Sequence, residues 1–226
     1  MTKVTTVLIA SGSGTDANAI MEAYRKGFIP EISLKKLIST KKGAGCLERA
    51  KRFRIETLVV DREYLGGYGF NKVLFSELQN VGCELIFLVG CVVKIPTMLD
   101  VSIYNIHPAD IEKFGGKGMY GLAVHEKVLS EVLDLISRGK KSPDDRFFTY
   151  PTVHEAVSEY DSGAPLLVGS VEIPRSIIKD LLVGRIDLQS AAQRLQDVVL
   201  PYEWMMLPTA VKIAANKILA NTPVGG

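Results

Sequence analysis

The chain has 226 residues, 47% hydrophobic and 23% charged, which is enough to bury a full core and excludes global disorder. Its 27 basic and 25 acidic residues leave a formal charge of +2, so no large field draws nucleic acid or a membrane surface. Three cysteines, Cys46, Cys83 and Cys91, without CxxC spacing argue against a disulfide framework or a zinc site and for a reducing, cytoplasmic setting.

Short β-branched runs alternate with longer amphipathic ones, the pattern of a parallel sheet with crossover helices. The apolar run 5–10 reads as a strand covered on both faces, and it meets Ser11-Gly12 before reaching signal-peptide or membrane length. Spacing then predicts a helix over 16–25, a strand over 32–38, a helix over 45–53, a strand over 57–60, a helix over 70–81 and a strand over 85–89. A fifth strand over 101–106 runs into His107-Pro108. A Gly-rich loop over 114–121 then leads to a helix of about 15 residues from Leu122. After a polar break at 139–145 come strands near 152–157 and 165–172, and helices from Ile177 and from Pro208. No linker or composition shift divides the chain. A single domain over 1–226 is expected, an α/β fold with a mostly parallel central sheet and helices on both faces.

Candidate chemistry gathers at strand ends. Asn105 and His107 are two apart, so they share one side of the fifth strand, and Pro108 ends the ladder and leaves both at its carboxyl rim. A carboxamide donor beside an imidazole suits acyl-type chemistry, in which a carbonyl oxygen gains charge and a proton moves. Read alone, either residue is equally a turn former. The first loop, Ser11-Gly12-Ser13-Gly14-Thr15-Asp16, combines glycines with the free N–H groups of a helix start, an anion site that needs no net positive charge. It lacks the third glycine of the dinucleotide fingerprint and the Lys of a P-loop, so neither NAD nor ATP is expected. Asp16 is alternatively a helix cap. Asp161, in Tyr160-Asp161-Ser162-Gly163-Ala164-Pro165, is on composition an ordinary turn residue; folded back on His107, its carboxylate would keep that imidazole cationic.

Taken together and in this order, Ser11 to Thr15, Asn105-Ile106-His107-Pro108 and Val153 to Pro165 resemble the folate-dependent formyltransferases, collinearly over nearly the whole chain. The resemblance implies a Rossmann-like formyltransferase fold and small-molecule substrates. The co-substrate would be 10-formyltetrahydrofolate and the acceptor the amine of glycinamide ribonucleotide, giving formylglycinamide ribonucleotide and tetrahydrofolate in purine synthesis. It implies no metal and leaves a homodimer open. By the same resemblance Asn105, His107 and Asp161 are catalytic, Gly14, Thr15 and Asp16 hold the substrate phosphate, and Glu203, five residues before Pro208, binds the ribose hydroxyls. The folate would lie on Val92, Val93, Lys94 and Ile95, with the amino-terminal half forming the acceptor side and the carboxyl-terminal half the folate side and Asp loop.

The chain departs from the family pattern in several places. Asp16 stands where the family usually has Asn, and a carboxylate beside a phosphate is repulsive. Segments Gly115 to Gly121 and Lys140 to Tyr150 are lengthened, both expected around the donor entrance. His125 and His154 match family positions without a catalytic role. Alternatives are a related formyltransferase with another amine acceptor, a formyltetrahydrofolate hydrolase, and a non-catalytic nucleotide-binding module.

Overall fold

The computed structural model describes residues 2–97 and 100–221. In chain order its elements are β1 (Val4–Ala10), α1 (Thr15–Arg25), β2 (Ile32–Ser39), α2 (Gly45–Arg52), β3 (Glu56–Val59), α3 (Arg62–Asn80), β4 (Leu85–Leu88) and β5 (Ser102–His107). There follow α4 (Ile111–Phe114), α5 (Leu122–Ser137), β6 (Phe148–Thr149), β7 (Thr152–Glu155), β8 (Pro165–Val168), β9 (Val171–Glu172), α6 (Arg175–Leu182) and α7 (Leu188–Asn221). Seven strands form one sheet in the order β3-β2-β1-β4-β5-β7-β8, parallel from β3 to β5 and antiparallel at β7 and β8.

The alternation of side chains along β1 assigns its residues to two cores. Leu8 and Ala10 pack with Ile20 and Met21 of α1 and Leu207 and Val211 of α7, whereas Val7 and Ile9 pack with Phe70, Leu74 and Leu78 of α3. A third cluster joins Val128 and Leu129 of α5 to Ile177 of α6 and to Leu195 and Val199 of α7. The strand order reverses at β1, between β2 and β4, so the crevice at the carboxyl ends of β1, β4 and β5 is the place where such sheets take ligands.

Three expected elements differ. The helix expected from residue 70 begins at Arg62, because the Asp61 side chain accepts the Glu63 and Tyr64 N–H groups, and it breaks at Gly66 (φ 66°). The strand expected over 165–172 is split: Pro165–Val168 stays in the main sheet, while Val171–Glu172 pairs with Phe148–Thr149. The helix expected from Pro208 begins at Leu188 and carries Pro201 and Pro208 inside it. Its buried stripe continues at four-residue spacing through Leu195, Val199, Glu203, Leu207 and Val211, so burial of one face outweighs the hydrogen bonds the prolines remove. Among the described residues no helix is long and apolar enough to cross a membrane.

Candidate active site

A cavity of about 640 Å³ opens at the switch point. Its walls come from the first loop (Ser13, Thr15, Asp16), the segment after β4 (Val92 to Ile95), the end of β5 (Asn105, His107), the glycine loop (Gly116 to Gly121), Asp161 and, from α7, Glu203.

Asn105 of β5 lies directly opposite His154 of β7 in the antiparallel register, which puts both side chains on one face. Asn105 Nδ2 approaches His154 Nε2 at 3.3 Å and Asp161 Oδ1 at 3.5 Å, and His154 Nε2 is 3.4 Å from that same oxygen. His154 Nδ1 donates to the Glu155 carbonyl at 2.9 Å, which turns Nε2 toward Asn105 Nδ2 and Asp161 Oδ1. His107 Nε2 likewise donates to the Phe114 carbonyl at 3.0 Å, which turns Nδ1 toward Asp161 Oδ2 at 3.7 Å. The other face of Oδ2 accepts the Gly116 N–H at 3.0 Å. Asp161 therefore stands between two imidazole nitrogens, each aimed by a backbone carbonyl on the far side of its ring.

Burial lowers the His107 imidazole below its ordinary 6.5, and the Asp161 carboxylate restores only part of that. The expectation of a cationic His107 is corrected: at neutral pH the ring rests neutral, because desolvation outweighs a carboxylate one hydrogen bond too distant. Burial pushes the Asp161 carboxyl up. The His154 contact, the Gly116 N–H and, in acid where its ring is protonated, the charge of His107 outweigh it, so the group settles below the usual carboxylate range and is ionised.

The Asp161 turn is held under strain. Asp161 has φ 51°, left-handed backbone that Asp tolerates better than most residues. Two glycines let it pack: a β-carbon on Gly115 would collide with the Ile111 carbonyl and lie 2.8 Å from Asp161 Cβ, and one on Gly163 would collide with the Glu155 carbonyl. The glycine loop is thus the support of Asp161 and, through Phe114, of His107.

Two further acids line the cavity, Asp16 from α1 and Glu203 from α7. Glu203 is 5% exposed and occupies the apolar stripe of α7, where burial and the nearby Asp16 carboxylate raise it well above the ordinary value. Asp16 sits in the first turn of α1, whose cap position is Gly14 with no side-chain cap, so it is not the helix cap. Its Oδ1 is shielded and unpartnered, as is the indole Nε1 of Trp204. Burial raises Asp16 to about 6 despite the indole, which favours its charged form.

Residues 4–191 match the family model described as formyl transferase. The chain belongs to the formyl transferase family. It is 30% identical over 187 residues to the chloroplastic phosphoribosylglycinamide formyltransferase of Arabidopsis thaliana, covering 79% of this chain and 59% of that protein. The corresponding protein of Vigna unguiculata is 27% identical over 185 residues, covering 79% of this chain and 54% of its own length. This formyl transferase chain thus spans less than two thirds of either relative. In fold it is similar to the crystal structure of glycinamide ribonucleotide transformylase 1 from Symbiobacterium toebii, with TM-score 0.71 and 24% identity over 95% of this chain and 89% of that one.

Within this formyl transferase the remaining expected residues fall as follows. Thr15 and Asp16 line the cavity, but Gly14 faces Cys46 of α2, and Ser13 takes its place in the wall. Val92, Val93, Lys94 and Ile95 all line the cavity. The Val92 N–H is already engaged by Ser11 Oγ at 3.1 Å, and the Lys94 ammonium lies 4.9 Å above the Tyr160 ring. The segment 140–150, expected at the donor entrance, contributes nothing to the cavity wall, because its β6 strand pairs away with β9. Two residues were not expected in these roles. His154 reaches the site through the β5–β7 register, and Arg49 Nε donates to the Ser13 carbonyl at 2.9 Å behind the first loop. A histidine two residues into a strand gives no sign of its partner strand. Among the described residues no group of three or more His, Cys, Asp or Glu is placed to hold a metal ion.

Proposed function

We propose that this formyl transferase moves the formyl group of 10-formyltetrahydrofolate to the amine of glycinamide ribonucleotide, giving formylglycinamide ribonucleotide and tetrahydrofolate. The observation that carries the reading is the convergence of Asn105, His107 and His154 on one ionised Asp161, with the nearest atoms 3.4 to 3.7 Å from its oxygens. The names of the plant relatives support the acceptor, and a cavity of about 640 Å³ lies within the usual range for a small-molecule site.

The acceptor nitrogen forms a bond to the formyl carbon, and the carbonyl π pair moves to oxygen. Asn105 Nδ2 is the donor for that oxyanion, a contribution worth about 100- to 1000-fold in rate at sites of this kind. The attacking amine loses a proton to His107 Nδ1, and Asp161 stabilises the resulting imidazolium. The carbon–N10 bond then breaks, the oxyanion collapses to the new amide, and His107 returns the proton to the departing folate nitrogen. Every atom and proton is accounted for without a covalent enzyme intermediate. The three free cysteines are in keeping with a reducing compartment, which we read as the cytoplasm.

A second reading, transfer to a different amine, draws on the acidic pair Asp16 and Glu203. Following donor absorbance with and without glycinamide ribonucleotide separates the cases. Loss only with the acceptor supports the proposal, equal loss without it indicates a hydrolase, and no loss in either case contradicts both.

A further inference from the structure

All three histidines of the chain border the cavity, and two of them are engaged through both ring nitrogens. His107 is held by the Phe114 carbonyl and faces Asp161; His154 is held by the Glu155 carbonyl and faces Asn105 and Asp161. His125, near the start of α5, makes no hydrogen bond from either nitrogen to the described residues, although it is 1% exposed. Its Nδ1 is the nitrogen sealed from solvent, which leaves Nε2 on the side that borders the cavity. A buried polar group without a partner is rare in a folded chain, and here the protein leaves the bond for something that enters the cavity. Two neighbourhoods meet at this ring. It is close enough to His107 for the two imidazoles to feel each other's charge, and α5 packs along α7, the helix that brings Glu203 to the cavity.

The tautomer follows from the burial. A proton on Nδ1 would be a donor sealed without an acceptor, whereas on Nε2 it faces the cavity and only a lone pair is sealed. Burial, with the neighbouring His107 ring, lowers the imidazole to about 4, so this donor is uncharged at neutral pH. An uncharged N–H suits a carbonyl oxygen; a phosphate would be better met by a cation. A substrate with its ribose at Glu203 and its amine at His107 has one polar group between the two, a carboxamide. We propose that His125 Nε2–H donates to the carboxamide oxygen of the acceptor, holding its amine toward the formyl carbon and selecting α-amino amides over simple primary amines. This rests on the acceptor reading above. His125 takes no proton in the reaction, which stays with His107 and Asp161.

The test compares His125→Phe and His125→Gln with wild type. Neither ring nitrogen bonds the protein, so phenylalanine keeps the buried shape and removes only the donor, whereas glutamine keeps a neutral N–H close to the position of Nε2. His125→Phe is expected to raise KM for glycinamide ribonucleotide about ten-fold with donor KM unchanged, and His125→Gln to stay within about three-fold of wild type. An acceptor KM unchanged in His125→Phe, or the reverse order with glutamine impaired and phenylalanine normal, would assign the ring to packing and overturn the proposal. Imidazole 15N NMR of wild type reads the same bond without turnover. A neutral ring protonated at Nε2, whose Nε2 resonance moves on adding glycinamide ribonucleotide, supports it; the Nδ1–H tautomer, or an Nε2 resonance unmoved at saturation, overturns it. If wild type neither binds nor formylates glycinamide ribonucleotide, the acceptor reading falls and this inference with it. Formylation by wild type with the Nε2 resonance unmoved overturns this inference alone.

Discussion

His107 Nδ1 and Asp161 Oδ2 stand 3.7 Å apart, beyond a direct hydrogen bond and within reach of a proton arriving between them. The ring is held there by its other nitrogen, which donates to the Phe114 carbonyl, and the carboxylate by the Gly116 N–H. The loop that carries Phe114 and Gly116 therefore sets both ends of the gap. The resting site is a neutral base beside an ionised carboxylate, ready to accept the proton that an attacking amine releases.

Removing the carboxylate makes His107 harder to protonate. Burial lowers its imidazole and Asp161 raises it, so Asp161→Asn is expected to move the His107 titration further down, from a starting point already below 6.5. Imidazole NMR across the acid range reads this directly; a titration at or above 6.5, or upward movement in Asp161→Asn, would contradict it.

Gly115→Ala tests the support of the Asp161 turn. The added methyl collides with the Ile111 carbonyl and reaches within 2.8 Å of Asp161 Cβ, so the turn must shift. A displacement of about 1 Å at a catalytic group costs about 100-fold in kcat, with a stability loss of about 1 to 3 kcal/mol. Wild-type turnover would show that the loop does not position Asp161.

His125 makes the fold sensitive to acid. It is 1% exposed, and burial lowers its imidazole to about 4, so it is neutral when folded and free to charge at 6.5 when unfolded. The unfolded chain then binds more protons between these values. Stability is complete above pH 6.5 and is lost as pH falls toward 4, by roughly 3 kcal/mol from this group. Urea unfolding at the two ends of that window should show the loss, and His125→Gln should reduce it; an unchanged slope would assign the acid sensitivity elsewhere.

Ser11 ties the first loop to the donor segment, since its Oγ accepts the Val92 N–H at 3.1 Å and lies 2.6 Å from Thr40 Oγ1. Ser11→Ala loses two neutral hydrogen bonds, of which the one to Val92, about 1 kcal/mol net, bears on the donor segment. The donor KM is expected to rise about five-fold with acceptor KM little changed; an effect on the acceptor alone would contradict this link.

Much of this architecture is legible in residue patterns. The continuous apolar run at Val7 to Ala10 and the Asn105-Ile106-His107-Pro108 rim lie where period-two reasoning puts them, because burial and a proline stop are local properties. The start of α3 is obscured by Gly66, Gly67 and Gly69, whose low helical propensity masks a helix that Asp61 initiates. The first half of α7 is hidden by Pro201 and Pro208, although the four-residue stripe through Glu203 crosses both. That stripe carries the clearer signal, a carboxylate in the middle of an apolar face. His154 and the neutral state of His107 depend on strand register and desolvation, and neither is a property of neighbouring residues.

The most direct measurement follows the label from 13C-formyl tetrahydrofolate. Wild type with glycinamide ribonucleotide is expected to yield a 13C-formamide on the acceptor and unlabelled tetrahydrofolate, and His107→Ala to slow this by about 100-fold or more. Label appearing as free formate, or transfer persisting in His107→Ala within a few fold of wild type, would contradict formyl transfer at this site.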